Sequence, residues 1–366
     1  MKLSIKNIFL AGVMGVFAVF MSSCSDWTKP ESLEYRYVTL EEKNPELYEA
    51  YFQSIRDYRA SDHKVTIAKF DNRTGAPSGR ADHISCLPDS VDFIILKNAD
   101  AIDEEYVKPE IASVRADKGQ KVLYEIVYSS IVADYKAYKA AWDEEHKPAE
   151  GEEETEPAEE AVSLDEFVRQ AVAVQKEYYA AFGYDGVNIV ASFLNPASCN
   201  EEQLAELEAS QEAFLGGIAE LVSSNEGMTV LFEGTPHYLV CHEDLVNRCD
   251  YIIIPAESAA NSYACSYEME LMMRYGNIPT DRFILGVTAK SLDDPSLKNG
   301  SFSGTDRNGF DKTAIIGGAE WVMTDTGNAV KAGLCIDNAR NDYFNLTKVY
   351  YNIREAISIM NPSPIK

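Results

Sequence analysis

The sequence lacks nearly every motif that would announce a cofactor or an activated nucleophile. It has no GxSxG elbow, no phosphate-binding P-loop, no HExxH pair and no GxGxxG after a strand-like run. That leaves acyl-serine hydrolysis, nucleotide chemistry, zinc proteolysis and dinucleotide binding without support. Histidine is scarce, and His63, His83, His146, His237 and His242 show no ligand spacing. After Cys24 come Cys86, Cys199, Cys241, Cys249, Cys265 and Cys335, with no CxxC pair among them. Neither a metal nor a cofactor is expected on that pattern, and buried thiols are the default. A Cys241–Cys249 bridge is open in an oxidising compartment, since sequence does not fix connectivity. Positive charge is also short. The formal net charge of -26 argues against nucleic acid or an anionic lipid surface as a partner. Part of that charge is local: ten acids and one lysine between Asp143 and Glu160 read as a disordered acidic insertion at about residues 143–162.

Long apolar runs are missing too, with one exception at the N-terminus. Lys2 and Lys6 precede an apolar stretch from Ile8 to Met21, and Ser22-Ser23-Cys24 follows. The stretch is short for a membrane-spanning helix and has the three-part form of a secretory signal. Small residues directly before a cysteine form a lipobox, so residues 1–23 are expected to be removed and Cys24 acylated, a palmitate-type membrane anchor. The polar stretch Ser25 to Ser32 extends the anchor as a tether, residues 24–44 in all. The expected location is the outer membrane, at the cell surface or facing the periplasm.

From residue 45 onward the pattern becomes that of a folded domain. Leu47, Tyr48, Tyr51, Phe52 and Ile55 recur at helical spacing and predict a helix over 46–58. Eight short apolar runs follow, alternating with helical stretches: 64–70, 92–96, 121–128, 186–191, 228–232, 250–254, 282–288 and 333–336. Among the helical stretches are 201–222 and a closing one over 344–360. Strands apolar on both faces, in eight strand-helix units, predict a single-domain α/β fold, a (β/α)8 TIM barrel over 45–366. A doubly wound sheet is the runner-up. In a barrel the chemistry sits at the C-terminal strand ends, so those positions carry the functional reading.

One run is specific. Phe182-Gly183-Tyr184-Asp185-Gly186-Val187-Asn188-Ile189-Val190-Ala191-Ser192 resembles the strand-four signature of glycoside hydrolase family 18, Gly-Phe/Tyr-Asp-Gly-x-Asp-x-Asp-x-Glu. The family comprises chitinases and endo-β-N-acetylglucosaminidases, and the resemblance implies a barrel acting on N-acetylglucosamine-containing glycans. It also places Asp185 and Gly186 on the first Asp and Gly, but Asn188 on the second Asp, Val190 on the third and Ser192 on the catalytic Glu. In the family that Glu protonates the glycosidic oxygen, and the Asp before it orients the attacking acetamido group. Neither serine nor valine performs those tasks, so a silent catalytic apparatus is expected. The run after the third strand, Tyr128-Ser129-Ser130, departs from the usual Ser-x-Gly-Gly, and the eighth strand lacks the usual tryptophan. Without the resemblance, Tyr184-Asp185-Gly186 reads as a plain helix-to-strand turn.

Other strand ends supply acids, aromatics and amides. Glu125, Glu233 and Glu257 are candidates for a relocated catalytic acid, or for sugar hydroxyl acceptors that pair with a base such as Lys290 or Arg340. Tyr128, Phe193, Asn195, His237, Tyr238, Asn261, Tyr263, Asn338 and Tyr343 complete a mixture suited to stacking on sugar rings and fixing hydroxyl groups. The leading expectation is a lipid-anchored, catalytically silent glycan-binding barrel, which the resemblance places beside an outer-membrane glycan transporter. An active endo-glycosidase and a non-carbohydrate envelope assembly protein are the alternatives.

Overall fold

A computed structural model describes residues 39–147, 160–275, 278–294, 296–325, 327 and 329–363. The expected signal peptide, Cys24, most of the tether and the centre of the acidic insertion lie outside the described residues. The chain divides into two compact units, residues 1–50 and 51–366. In the first, a capping box closes the helix Leu40–Lys43: Thr39 Oγ1 accepts from the Glu42 N–H, and the Glu42 carboxylate accepts from the Thr39 N–H. Such reciprocal bonds satisfy two of the donors that a helix start leaves without partners.

The second unit is the barrel. Its parallel strands are β1 (Val65–Phe70), β2 (Phe93–Leu96), β3 (Lys121–Val127), β4 (Gly186–Ala191), β5 (Thr229–Gly234), β6 (Tyr251–Pro255), β7 (Phe283–Thr288) and, after the short pair β8 (Ser301–Thr305) and β9 (Asp311–Thr313), β10 (Lys331–Asp337). β1 pairs with both β2 and β10, which closes the sheet and sets the doubly wound alternative aside. All eight expected strands are present, with ends shifted by a few residues at most. The hairpin β8–β9 was not expected. It packs Phe302 onto the helix Ala314–Val322 at Gly317, where an added Cβ would lie 2.3 Å from the ring.

Alternation divides each strand between two cores. Val187, Ile189 and Ala191 of β4 face the helices with Ala68 and Phe70 of β1. Ile67, Ile95, Leu123, Leu231, Ile253, Ile284 and Cys335 fill the barrel interior above Phe93 and Tyr251. Burying that surface is the main term holding the barrel closed. The N-terminal face is fastened by a repeated device. Asp92, Asp185 and Asp250 each stand just before a strand, and each accepts from an N–H at the start of the neighbouring strand. The bonds run from Thr66 (2.8 Å), Val122 (2.7 Å) and Val230 (2.8 Å).

One expectation needs correction. The closing helix over 344–360 is a 3-10 turn, Ala339–Phe344, and a separate helix, Tyr351–Met360. Tyr350 between them sits at φ 54 in the left-handed region, which breaks a continuous helix. Cys241 and Cys249 are not bridged, and all six described cysteines are free thiols; Cys249 is buried and donates to the Leu245 carbonyl. Among the described residues, no helix is long and apolar enough to cross a membrane.

Candidate functional site

The interior of the barrel turns from apolar to charged one step above the Ile67 layer. On β1 the residue two positions further along is Lys69, 6 % exposed, and its Nζ lies between two carboxylates. It is 2.9 Å from Glu125 Oε2 and 3.0 Å from Glu233 Oε2. Asn188 of β4 is fully buried and donates to the same Glu233 oxygen at 2.7 Å. Period-two alternation produces this layer, because Lys69, Glu125, Asn188 and Glu233 all occupy inward positions of four strands in register. Burial tends to lower the lysine pKa, yet the charges of Glu233 and Glu125 outweigh it and raise it above the ordinary range. Burial also lifts the Glu125 carboxyl; Lys69 opposes that shift and Glu233 reinforces it.

A second pair sits at the rim, where Lys97 Nζ approaches Asp337 Oδ1 at 3.0 Å. Asn338 donates to Thr288 Oγ1 at 3.1 Å and to Asp337 Oδ2 at 3.0 Å. Glu257, just beyond β6, is half-buried without a lysine partner of its own. Burial, with the Glu233 charge in support, pushes its carboxyl up to about 7. Glu257, Thr288, Asp337, Asn338, Asp71 and Arg73 line a cavity of about 380 Å³ over this side of the mouth. That volume lies within the roughly 300–1,000 Å³ of small-molecule sites. A cavity on the opposite face, beside Tyr58, His63 and Asn361, holds the His63–Asp92 pair (3.0 Å). Polar contacts at that end of a barrel serve stability.

The candidate residues separate into three groups. Glu125, Glu233, Glu257 and Asn338 converge on the mouth with Asn188. Tyr128, Phe193 and His237 are drawn into packing instead: the Tyr128 ring lies 5.1 Å from both Phe193 and Phe214, and Phe193 belongs to the core between barrel and helices. Asn195 caps the short turn Pro196–Ser198 by accepting from the Ala197 N–H. His237 is 8 % exposed, and neither ring nitrogen has a hydrogen-bond partner among the described residues; burial holds the imidazole down to about 4. Tyr263, 80 % exposed, Asn261 and Lys290 are open to solvent. Tyr343 packs edge-on against Phe344 and Tyr350.

One expectation about partners changes. The strand-end acids pair with Lys69 and Lys97, while Arg340 is committed to Asp82 at 2.6 Å. Asp185 lies at the N-terminal end of β4, away from the mouth, where it holds the Val122 N–H and Arg115 (2.8 Å). Val190 follows on the inward parity of β4, and the exposed Ser192 lies just past the strand's end, where a Cβ on Gly234 would stand 3.2 Å from its Oγ. Lys69, Lys97 and Asp337 escaped the sequence reading. A lysine inside the apolar run Val-Thr-Ile-Ala-Lys-Phe, on the inward parity of a barrel strand, was the signal available for Lys69.

The fold has known relatives. The model of the family described as glycoside hydrolase family 18, BT1044-like, matches residues 28–359. Among solved structures, a variant of BT1044 with a glutamate replaced by glutamine superposes with a TM-score of 0.60 at 18 % identity, covering 88 % of this chain and 95 % of that one. Looser likenesses include catalytic domain 2 of the Group II chitinase of Ostrinia furnacalis (TM-score 0.48, 10 % identity, 84 % and 98 % covered). A family GH18 chitinase from Chromobacterium violaceum is similar at 0.45 and 11 % identity, with 82 % and 84 % covered. No protein with a curated description matches the sequence significantly.

Proposed function

The chain belongs to glycoside hydrolase family 18, BT1044-like, and from that premise we propose that its barrel mouth retains an N-acetylglucosamine-containing glycan without cleaving it. The observation that carries the reading is the fate of the carboxylates. Ser192 and Val190 stand where the family motif has its acid and the Asp before it. The nearest inward carboxylates, Glu125 and Glu233, share the Lys69 ammonium at 2.9 and 3.0 Å. Their carboxylate oxygens are engaged by that ammonium and, at Glu233, by the Asn188 amide inside the barrel, so neither carboxyl is placed to meet a leaving group at the mouth. The side of the mouth left for a ligand is the one at Glu257, beside Thr288 and the Lys97–Asp337 pair, a set of acceptors and donors suited to sugar hydroxyls and an acetamido group.

One observation favours a second reading. Glu257, near 7, has the proton affinity that a general acid needs at neutral pH, and would make the protein an active endo-glycosidase with a relocated acid. Calorimetry with chitooligosaccharides and with a released N-glycan core tests retention directly. Saturable binding that Asp337→Asn and Glu257→Ala each weaken supports the proposal. Absence of heat with every glycan favours an envelope assembly role.

Localisation belongs to the same proposal. The Lys2, Lys6 and Ser22-Ser23-Cys24 pattern supports a lipoprotein anchored at Cys24, displayed on the outer membrane beside a glycan transporter. Incorporation of labelled palmitate, lost in Cys24→Ala, is the expected result; equal labelling of both forms would overturn it.

A further inference from the structure

Away from the mouth, three side chains of metal-ligating type meet although sequence spacing gave no hint of it. Glu212 comes from the helix Glu201–Ser224, while Cys241 and His242 end the connection that follows β5. One ligand atom from each lies within 4.8 Å of the other two, and His242 Nε2 is 2.7 Å from Glu212 Oε2. We propose that Glu212, Cys241 and His242 form a zinc site, with water or another small ligand in the fourth position.

Three features of the surroundings point to a built arrangement. First, the connection is fixed before any ion arrives. Gln211 is fully buried; its Oε1 accepts from the Val240 N–H at 2.8 Å and its Nε2 donates to the Tyr238 carbonyl at 3.0 Å. Cys241 is therefore held beside the helix by its neighbours' backbone. Second, His242 occupies the left-handed region at φ 54, unfavourable for a non-glycine residue and found where the surroundings impose it. Third, the helix carries Gly216 beneath the cluster. A Cβ there would lie 3.2 Å from Glu212 Oε1 and 3.7 Å from His242 Nε2. Glycine inside a helix is unfavourable relative to alanine, and the room it leaves lies under two of the three ligands.

The chemistry selects the ion. A thiolate, an imidazole and a carboxylate together suit zinc, a borderline-soft cation that uses three protein ligands and an open position in one of its two common arrangements. Bonds of about 2.0–2.3 Å set tetrahedral ligand atoms roughly 3.3–3.7 Å apart. The present spacing, with the three atoms within 4.8 Å of one another, is of that order. Cys241 and His242 also line a cavity of about 610 Å³ together with Ser223 and Asp244. Once bound, the ion would clamp the connection after β5 onto the helix after β4, independently of any glycan.

The test uses the full-length chain stripped of metal and titrated with Co²⁺ and Zn²⁺. One equivalent should bind, with a thiolate-to-cobalt charge-transfer band, a tetrahedral visible spectrum and a Zn²⁺-dependent rise in Tm. Cys241→Ser and His242→Ala should each lower Zn²⁺ affinity by more than about 100-fold, beyond the cost of losing an outer-shell partner. Glu212→Gln alters only an exposed side chain and guards against misfolding; it should weaken binding and shift the visible bands. Cys199→Ser should change nothing. Failure to bind either ion, or binding that survives Cys241→Ser and His242→Ala, would overturn the proposal and leave a plain imidazole–carboxylate pair beside a free thiol.

Discussion

Lys69 is the residue on which the charged layer depends. Two carboxylates share its ammonium inside a nearly closed barrel, so deleting it leaves two buried anions uncompensated. Breaking a buried pair by removing one partner costs about 3–5 kcal/mol, a large part of a typical folding free energy of roughly 5–15 kcal/mol. Lys69→Met is expected to lose that much in urea unfolding at neutral pH and to recover part of it on acidification, as the carboxyls take up protons. A loss under about 1 kcal/mol would mean that the carboxylates are already solvated. Lysine and glutamate at inward strand positions were visible in the sequence as charges in apolar runs. Their pairing was not, because which strands face each other across a barrel depends on closure and stagger. Tyr128 and Phe193 show the opposite error: aromatic residues next to strand ends were read as rim stackers, yet the helix Glu201–Ser224 supplies Phe214 as their partner.

At the scale of elements, the three aspartates before β2, β4 and β6 perform one task, closing N–H groups that the parallel ladder leaves open at the bottom of the barrel. Asp250→Ala is expected to cost about 1.5–3 kcal/mol, the range for hydrogen bonds to charged groups, and Asp185→Ala somewhat more, since it also releases the partly exposed Arg115 (2.8 Å). Asp92→Ala should cost most, since Asp92 is buried and also holds His63 (3.0 Å) and Arg59 (3.5 Å). Thermal unfolding of the three variants checks the order, and equal losses would contradict it. Strand positions were legible because strands covered on both faces read as nearly unbroken apolar runs. The hairpin β8–β9 escaped for the complementary reason: Ser301–Thr305 is mostly exposed and has no apolar run. Asp185 kept the structural half of its motif, the turn and the strand-start bond, while the mouth end of the same strand changed at Asn188, Val190 and Ser192.

For the whole molecule, stability against pH is set by groups that pull in opposite directions. Burial raises Glu257 from 4.5 to about 7 and Asp342 from 3.8 to about 6. Their contributions are complete below the unfolded values and lost as pH rises through the folded ones; for Glu257 this amounts to at most about 3 kcal/mol. Burial lowers His237 from 6.5 to about 4, so its contribution is complete above 6.5 and lost as pH falls through 4, again at most about 3 kcal/mol. With two raised acids against one lowered imidazole, the wild-type stability should decline between about pH 4.5 and 6. His237→Phe should steepen that decline, and Glu257→Gln should nearly flatten it. Parallel profiles for all three proteins would show that neither group is desolvated as described. The fold was legible in the sequence at this scale, down to the family. Which carboxylates remain free at the mouth was not, since that rests on Lys69 and Lys97 reaching across the barrel.

Retention and cleavage are separated by mass spectrometry of the products after prolonged incubation with chitooligosaccharides and N-glycoproteins. With the wild-type chain the substrate should remain intact. Released chitobiose-type products that disappear in Glu257→Gln would contradict retention without cleavage and identify Glu257 as a working acid.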